Sequence, residues 1–240
     1  RDDDPTVREP GTFPTAKVVG GTDLVGDDYD ADEHNTPDPD PDPLDCKAAG
    51  SDIDQHGTHV AGTAAGMGVV AGGGTYRGAY DARTLSRTSF RVAPGVAPEA
   101  KLLAFRVFGC AGGTYLVVDA IERAVRAGAD VINLSLGSSF GETGSIDAVA
   151  VDNAALAGVT VVVSSGNSGQ SAYITGTPAV ATRAISVAAM DALPTFKAAR
   201  LDMASGSDIT AIVANGATPT ARGRLVLFRD DPDTDVDPVS

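Results

Sequence analysis

Residues 55–66 read QHGTHVAGTAAG, a run that sets an imidazole at the mouth of a helix built from small residues. Ala61, Gly62, Ala64 and Ala65 give a helix thin enough to pack closely against its neighbours, and Gly57 leaves room for another chain beside His56. An imidazole, with an ordinary pKa of roughly 6.5, suits proton transfer near neutrality. His56 is therefore presented for chemistry rather than buried in bulk. His59, three positions on, projects from nearly the same helical face and reads as a packing and hydrogen-bonding residue behind the site. The i, i+3 spacing lacks the i, i+4 pair and intervening Glu of helical zinc sites, and His34 is the only other histidine, so a metalloprotease reading is set aside.

Two further runs follow in order: residues 131–137 read VINLSLG, and residues 161–169 read VVVSSGNSG. Together with HGTHVAG, they resemble the substrate strand, the oxyanion segment and the histidine motif of the subtilisin-like serine proteases (subtilases, peptidase S8). With 101–108, they cover most of residues 17–189. The resemblance implies a serine-type endopeptidase working through a Ser-His-Asp triad, with His56 as general base. It implies that Asn167 donates a side-chain hydrogen bond to the oxyanion of the tetrahedral intermediate, a contact that lowers the barrier selectively. By the same resemblance Ser135, Leu136 and Gly137 would pair with an extended substrate as an added strand. Ser164, Ser165 and Gly166 would line the first specificity pocket, where Gly137 and Gly166 leave room for a large apolar side chain. Such chemistry requires no cofactor; its partner is a protein or peptide substrate, and the complete molecule is expected to be a monomer.

At 240 residues with 42% apolar residues, the chain suffices for one sizeable α/β domain with a buried core. A net charge of -14 argues against a nucleic-acid partner, which needs clustered Lys and Arg, and fits solubility outside the cell. No stretch approaches the roughly 20 consecutive apolar residues of a membrane-spanning helix. The chain begins at Arg1 without the apolar core of a signal peptide, and is read as a processed or truncated piece. Two cysteines, Cys46 and Cys110, fit either one disulfide or two inert thiols. The subtilisin-like fold would bring their two segments together, so the resemblance implies a Cys46–Cys110 bridge and with it an oxidising compartment, either extracellular or at the cell surface.

Residues 1–50 form an acidic Pro- and Gly-rich surface segment, with a short edge strand at 16–20 and PDPDPDP at 37–43 running extended. Asp27, Asp28, Asp30, Asp32 and Glu33 crowd together there; Ca²⁺ is admissible but not assignable, because no D-x-[DN]-x-[DN]-G loop with its distal Glu is present, and a solvated acidic loop is the preferred reading. Gly66, Gly68 and Ala71 satisfy G-x-G-x-x-G/A, but a helical pattern precedes them and more glycines follow, which is the wrong context for a dinucleotide site. Residues 51–190 form the partial catalytic core. Strands are expected at 101–108, 131–136, 159–164 and 184–188, and helices at 115–127 and 146–157. Near-continuous apolar strands between helices predict a three-layer αβα fold, with a mostly parallel, doubly wound sheet covered on both faces and incomplete here. Crossovers should be right-handed. Residues 191–240 read as an irregular tail with isolated strands at 209–213 and 224–228, in the place where some larger relatives begin an inserted protease-associated domain.

The pattern breaks at both ends of the triad. No D-[ST]-G precedes His56, and Asp23 and Asp27 lie in GGTDLVGDD, which resembles the segment downstream of the catalytic aspartate. That aspartate is expected before Arg1. G-T-S-[MA]-[AS], the nucleophile motif, is missing too, and Ser205 in MASG reads as a loop residue. The chain is thus expected to be inactive in isolation. The rival from another class is a catalytically dead, protease-like peptide-binding protein, which would need neither His56 nor Asn167.

Overall fold

The computed structural model describes residues 7–8, 11–46 and 56–190, and the backbone of 198–202 and 208–212. The chain forms two units, residues 1–187 and 188–240. The first holds β1 (Val18–Asp23), α1 (His56–Ala65), β2 (Val69–Val70), α2 (Thr84–Arg87), β3 (Phe90–Val92), β4 (Leu102–Arg106), α3 (Val117–Arg126), β5 (Val131–Leu134), α4 (Ile146–Leu156), β6 (Thr160–Ser164) and β7 (Ile185–Val187). In the second, β8 (Ala198–Asp202) and β9 (Asp208–Ile212) pair antiparallel. The strand expected at 209–213 is therefore not isolated, whereas 224–228 lies outside the described residues.

The parallel strands fall into two ladders. β1 runs beside β4, from Gly20 opposite Leu103 to Asp23 opposite Arg106. This pairing carries β1 through Gly20 and Gly21, beyond the edge strand expected at 16–20. β5, β6 and β7 form the second ladder, with Val131 opposite Thr160, Leu134 opposite Val163, and Val162 opposite Ile185. Each helix that serves them was expected within two residues of its observed ends. In α3 the buried stripe is Val117, Ala120, Ile121 and Ala124, while Asp119, Glu122, Arg123 and Arg126 occupy the other positions. Ser145 caps α4 by accepting a 3.3 Å bond from the Ala148 amide.

α3 and α4 pack together with Ile132, Leu134, Val161 and Val163 into one apolar cluster. A second cluster joins Leu24, Val25, Tyr29, Ala31, Val107 and Ala120. Phe105 and Leu136 touch both, so side-chain packing links the two ladders. The described residues cover one face of β5 and β6, in keeping with the sheet expected to be incomplete here. Val131, Ile185 and Val187 stay about half exposed, because no described element covers the other face of β5, β6 and β7. The sequence pattern also gave no sign of the short antiparallel pair β2 and β3.

At the end of β4, Arg106 ties the acidic segment to the sheet. Its Nη1 donates to Asp23 Oδ2 at 2.8 Å and to Asp27 Oδ1 at 2.7 Å, and its Nε donates to the Phe108 carbonyl at 3.0 Å. Asp23 is fully buried, and its Oδ1 accepts bonds from the Val25 and Gly26 amides. Beside this cluster Cys46 and Cys110 form a disulfide with a Cα–Cα distance of 5.7 Å. The segment 37–43 does not lie wholly on the surface as expected. Asp40 O accepts bonds from the Asp23 amide and the Thr22 hydroxyl, and Asp42 is buried.

Three outcomes follow from these contacts. Arg106→Ala strands the Asp23 carboxylate in the interior and should cost about 3–5 kcal/mol in urea unfolding, with part of the loss recovered when Asp23 is also replaced by Ala. Reducing the Cys46–Cys110 bridge, which closes a span of 64 residues, should cost about 4 kcal/mol by loop-closure entropy, and non-reducing peptide mapping should show one linked peptide. Hydrogen bonds from the Asp32 and Gly113 amides hold the Asp30 carboxyl below its ordinary value of 3.8. Its contribution is therefore present above that value and lost as pH falls through the lower folded pKa. The stability gap between wild type and Asp30→Asn should close on acidification; a gap that is constant with pH would contradict this assignment.

Candidate active site

His56 opens α1, and two anchors fix the direction of that helix. At its carboxyl end, Gly95 N donates to Gly66 O (2.8 Å), Val96 N to Thr63 O (3.1 Å) and Ala97 N to Ala64 O (2.8 Å); the chain then leads into β4. At its amino end, Thr58 Oγ1 donates to Asp45 Oδ2 at 2.8 Å and Thr58 N donates to the same oxygen at 3.3 Å. Asp45 adjoins Cys46, whose disulfide partner Cys110 follows the end of β4. α1 therefore runs antiparallel to β4, with His56 toward the carboxyl end of that strand. This is the sheet edge where ligands bind in open α/β folds.

His56 is exposed, and among the described residues no hydrogen bond joins its imidazole to a carboxylate or to Asn167. The close packing of α1 expected from its small residues is also not observed. Of its ten residues only Ala65 is buried, because the described residues grip the helix chiefly at its last turn. His59 is exposed as well, so it does not pack behind the site as expected.

The remaining site residues leave the sheet at the carboxyl ends of β5 and β6. The register Leu134 opposite Val163 puts Ser135, Leu136 and Gly137 alongside Ser164, Ser165 and Gly166 at one edge. Leu136 packs against both apolar clusters, whereas Gly137 is exposed. Asn133 Nδ2 donates to Ser135 Oγ at 3.1 Å, and the Gly166 amide donates to Ser164 Oγ at 3.3 Å. Asn167 is exposed in the loop after β6. A 2.5 Å bond between the Ser139 and Ser168 hydroxyls ties that loop to the segment leaving β5. Ser138 in turn donates its amide to Thr177 O at 2.9 Å, which anchors the same segment from the other side. Thr177 and Ser139 were not legible as contributors, since neither lies in a motif with a chemical role.

Several other candidates stand apart. Asp23 is held by Arg106 and by two amides, and among the described residues no hydrogen bond joins it to His56. The Asp27 carboxylate and the two sulfurs lie within 4.8 Å of one another, but the sulfurs are bonded to each other and offer no thiolate. Asp27, Asp28, Glu33, His34, Asp38 and Asp40 line an open pocket of about 600 Å³ in the acidic segment. Within it, burial pushes the Asp40 carboxyl up. Gly66, Gly68 and Ala71 follow α1 and flank the short strand β2 rather than forming a strand-turn-helix unit. Ser205 lies outside the described residues.

The Subtilase family profile matches residues 16–233, and the chain belongs to that family. It is 39% identical over 171 residues to the minor extracellular protease Vpr of Bacillus subtilis (strain 168), covering 70% of this chain and 17% of that protein. It is 35% identical over 180 residues to subtilisin DY of Bacillus licheniformis, covering 73% of this chain and 50% of that protein. The chain thus spans half or less of the length of these relatives. Among solved structures, sphericase superposes with a TM-score of 0.49 at 27% identity, over 80% of this chain and 51% of that one.

Two glycines set the shape of the shared edge. Gly166 has φ +100 with open space where a side chain would stand, whereas a Cβ on Gly137 would meet Thr177 O at 2.7 Å. Gly166→Ala should therefore destabilise by about 1–2 kcal/mol through backbone strain alone. Gly137→Ala should cost at least as much, by displacing Thr177. Thermal unfolding distinguishes these outcomes from a tolerant loop, for which both melting temperatures would stay at the wild-type value.

Proposed function

We propose that this chain supplies the general base, the oxyanion donor and the substrate-binding edge of a secreted serine endopeptidase. The observation that carries the reading is the parallel register of β5 and β6, which sends residues 135–137 and 164–167 out at one sheet edge. In this reading His56 takes the proton from a serine hydroxyl as that oxygen attacks the peptide carbonyl. It then returns the proton to the leaving amine. Asn167 donates its side-chain amide to the oxyanion that develops on the carbonyl oxygen. The backbone of Ser135, Leu136 and Gly137 holds the substrate as an added strand, which suits a residue such as Leu136 whose side chain is committed to the core. Ser164, Ser165 and Gly166 receive the first specificity side chain, and the open space at Gly166 favours a large apolar group.

The nucleophile and the aspartate that orients His56 are not matched by motifs in these 240 residues. A function outside the cell is supported by the Cys46–Cys110 disulfide and by the likeness to the extracellular protease Vpr. Two kinetic outcomes are expected. The 240-residue chain alone should hydrolyse a peptide substrate at the background rate. In the product of the full reading frame that contains it, Asn167→Ala should lower kcat by about 10²–10³ with KM little changed. A change in KM alone would assign Asn167 to ground-state binding instead.

A further inference from the structure

An α-helix leaves the amides of its first turn without intrahelical partners, and such helix starts need an acceptor from elsewhere. In α1 the Thr58 amide and the Thr58 hydroxyl both donate to one oxygen of Asp45, thirteen residues upstream. Asp45 thus accepts a first-turn amide of α1, and its negative charge sits toward the positive end of the helix dipole. The other oxygen of Asp45 accepts the Cys46 amide at 3.1 Å, which fixes the carboxylate to the backbone of the next residue. That residue is covalently joined to Cys110, four residues beyond the end of β4. A continuous chain of bonds thus runs from the sheet through the disulfide to Asp45 and on to the turn that begins with His56.

We infer that Asp45 is a positioning residue for His56, setting the start of α1 and with it the place of the imidazole. The inference rests on the reading of His56 as the base, but concerns a different residue and a different measurement. Arg106 supports the same arrangement from the sheet side, since its Nη2 lies 2.9 Å from Cys46 Sγ. The hydroxyl bond can be removed from either side, at Asp45 or at Thr58, whereas the amide bond can be removed only at Asp45.

The test is NMR on the 240-residue chain, following the Thr58 amide and the imidazole signals of His34, His56 and His59. In Asp45→Ala the Thr58 amide should exchange with solvent about fivefold faster, and the His56 ring signals should shift and broaden while those of His34 stay in place. Asp45→Asn keeps an accepting oxygen and should restore Thr58 protection to within about twofold, with the His56 signals near their wild-type positions. If Asp45→Ala does not fold, Thr58→Val removes the hydroxyl donor instead and should move the His56 signals in the same way. Unchanged Thr58 exchange and unchanged His56 signals in a folded Asp45→Ala chain would overturn the inference, as would unchanged His56 signals in a folded Thr58→Val chain. So would equal shifts of all three histidines, which would mark a general loosening. Neither result bears on whether His56 is the base, because a His56→Ala variant of the full reading-frame product tests that separately through its turnover.

Discussion

The ion pair between Arg106 and the buried Asp23 carboxylate is the interaction around which this half of the molecule is arranged. A carboxylate with no exposed surface is tolerated only when a charge partner and hydrogen-bond donors satisfy it. Here the Nη1 of Arg106 and the amides of Val25 and Gly26 do so. Because Arg106 ends β4 and Asp23 ends β1, the pair locks the two strands in register at their carboxyl ends. The same guanidinium reaches Asp27 and lies against Cys46, so the acidic segment, the disulfide and the sheet meet at one place.

This place is also the foundation of the candidate site. The Thr58 contact of Asp45 carries the fixed geometry of the sheet to the helix that begins with His56. A second, independent route fixes the other residues: the β5–β6 register and the Ser139–Ser168 bond hold residues 135–137 and 164–167 together. His56 and Asn167 are thus held by different parts of the fold, one through a disulfide and an ion pair, the other through a ladder. Phe105 and Leu136, shared by the two apolar clusters, are what couples these parts. In the proposed reading a site assembled from two such parts depends on the rigidity of both, because small misplacements of reacting groups are costly.

Much of the architecture was legible in the sequence. The periodic apolar stripe of residues 117–124 and the β-branched run at 160–163 decide α3 and β6 with little ambiguity, since burial and local preference agree there. The motifs around His56 and Asn167 pointed to the family from the sequence. The Arg106 cluster was not legible, because a charge at the end of a strand gives no periodic signal and its partners lie 79 and 83 residues away. Asp45 was missed for a similar reason, although its place beside Cys46 was a usable hint. The exposure of α1 was misjudged, since small residues record where a chain can be covered, not whether a described element covers it, whereas the open face of β5, β6 and β7 agrees with a sheet that is incomplete here.

The central claim, that His56 is the general base of a serine endopeptidase, is tested most directly by labelling the product of the full reading frame with a serine-directed fluorophosphonate. The account predicts rapid covalent labelling of one serine by the wild-type protein, and labelling slowed by several orders of magnitude in His56→Ala. Labelling of the two proteins at equal rates would contradict it, as would tight peptide binding by a wild-type protein that takes up no label.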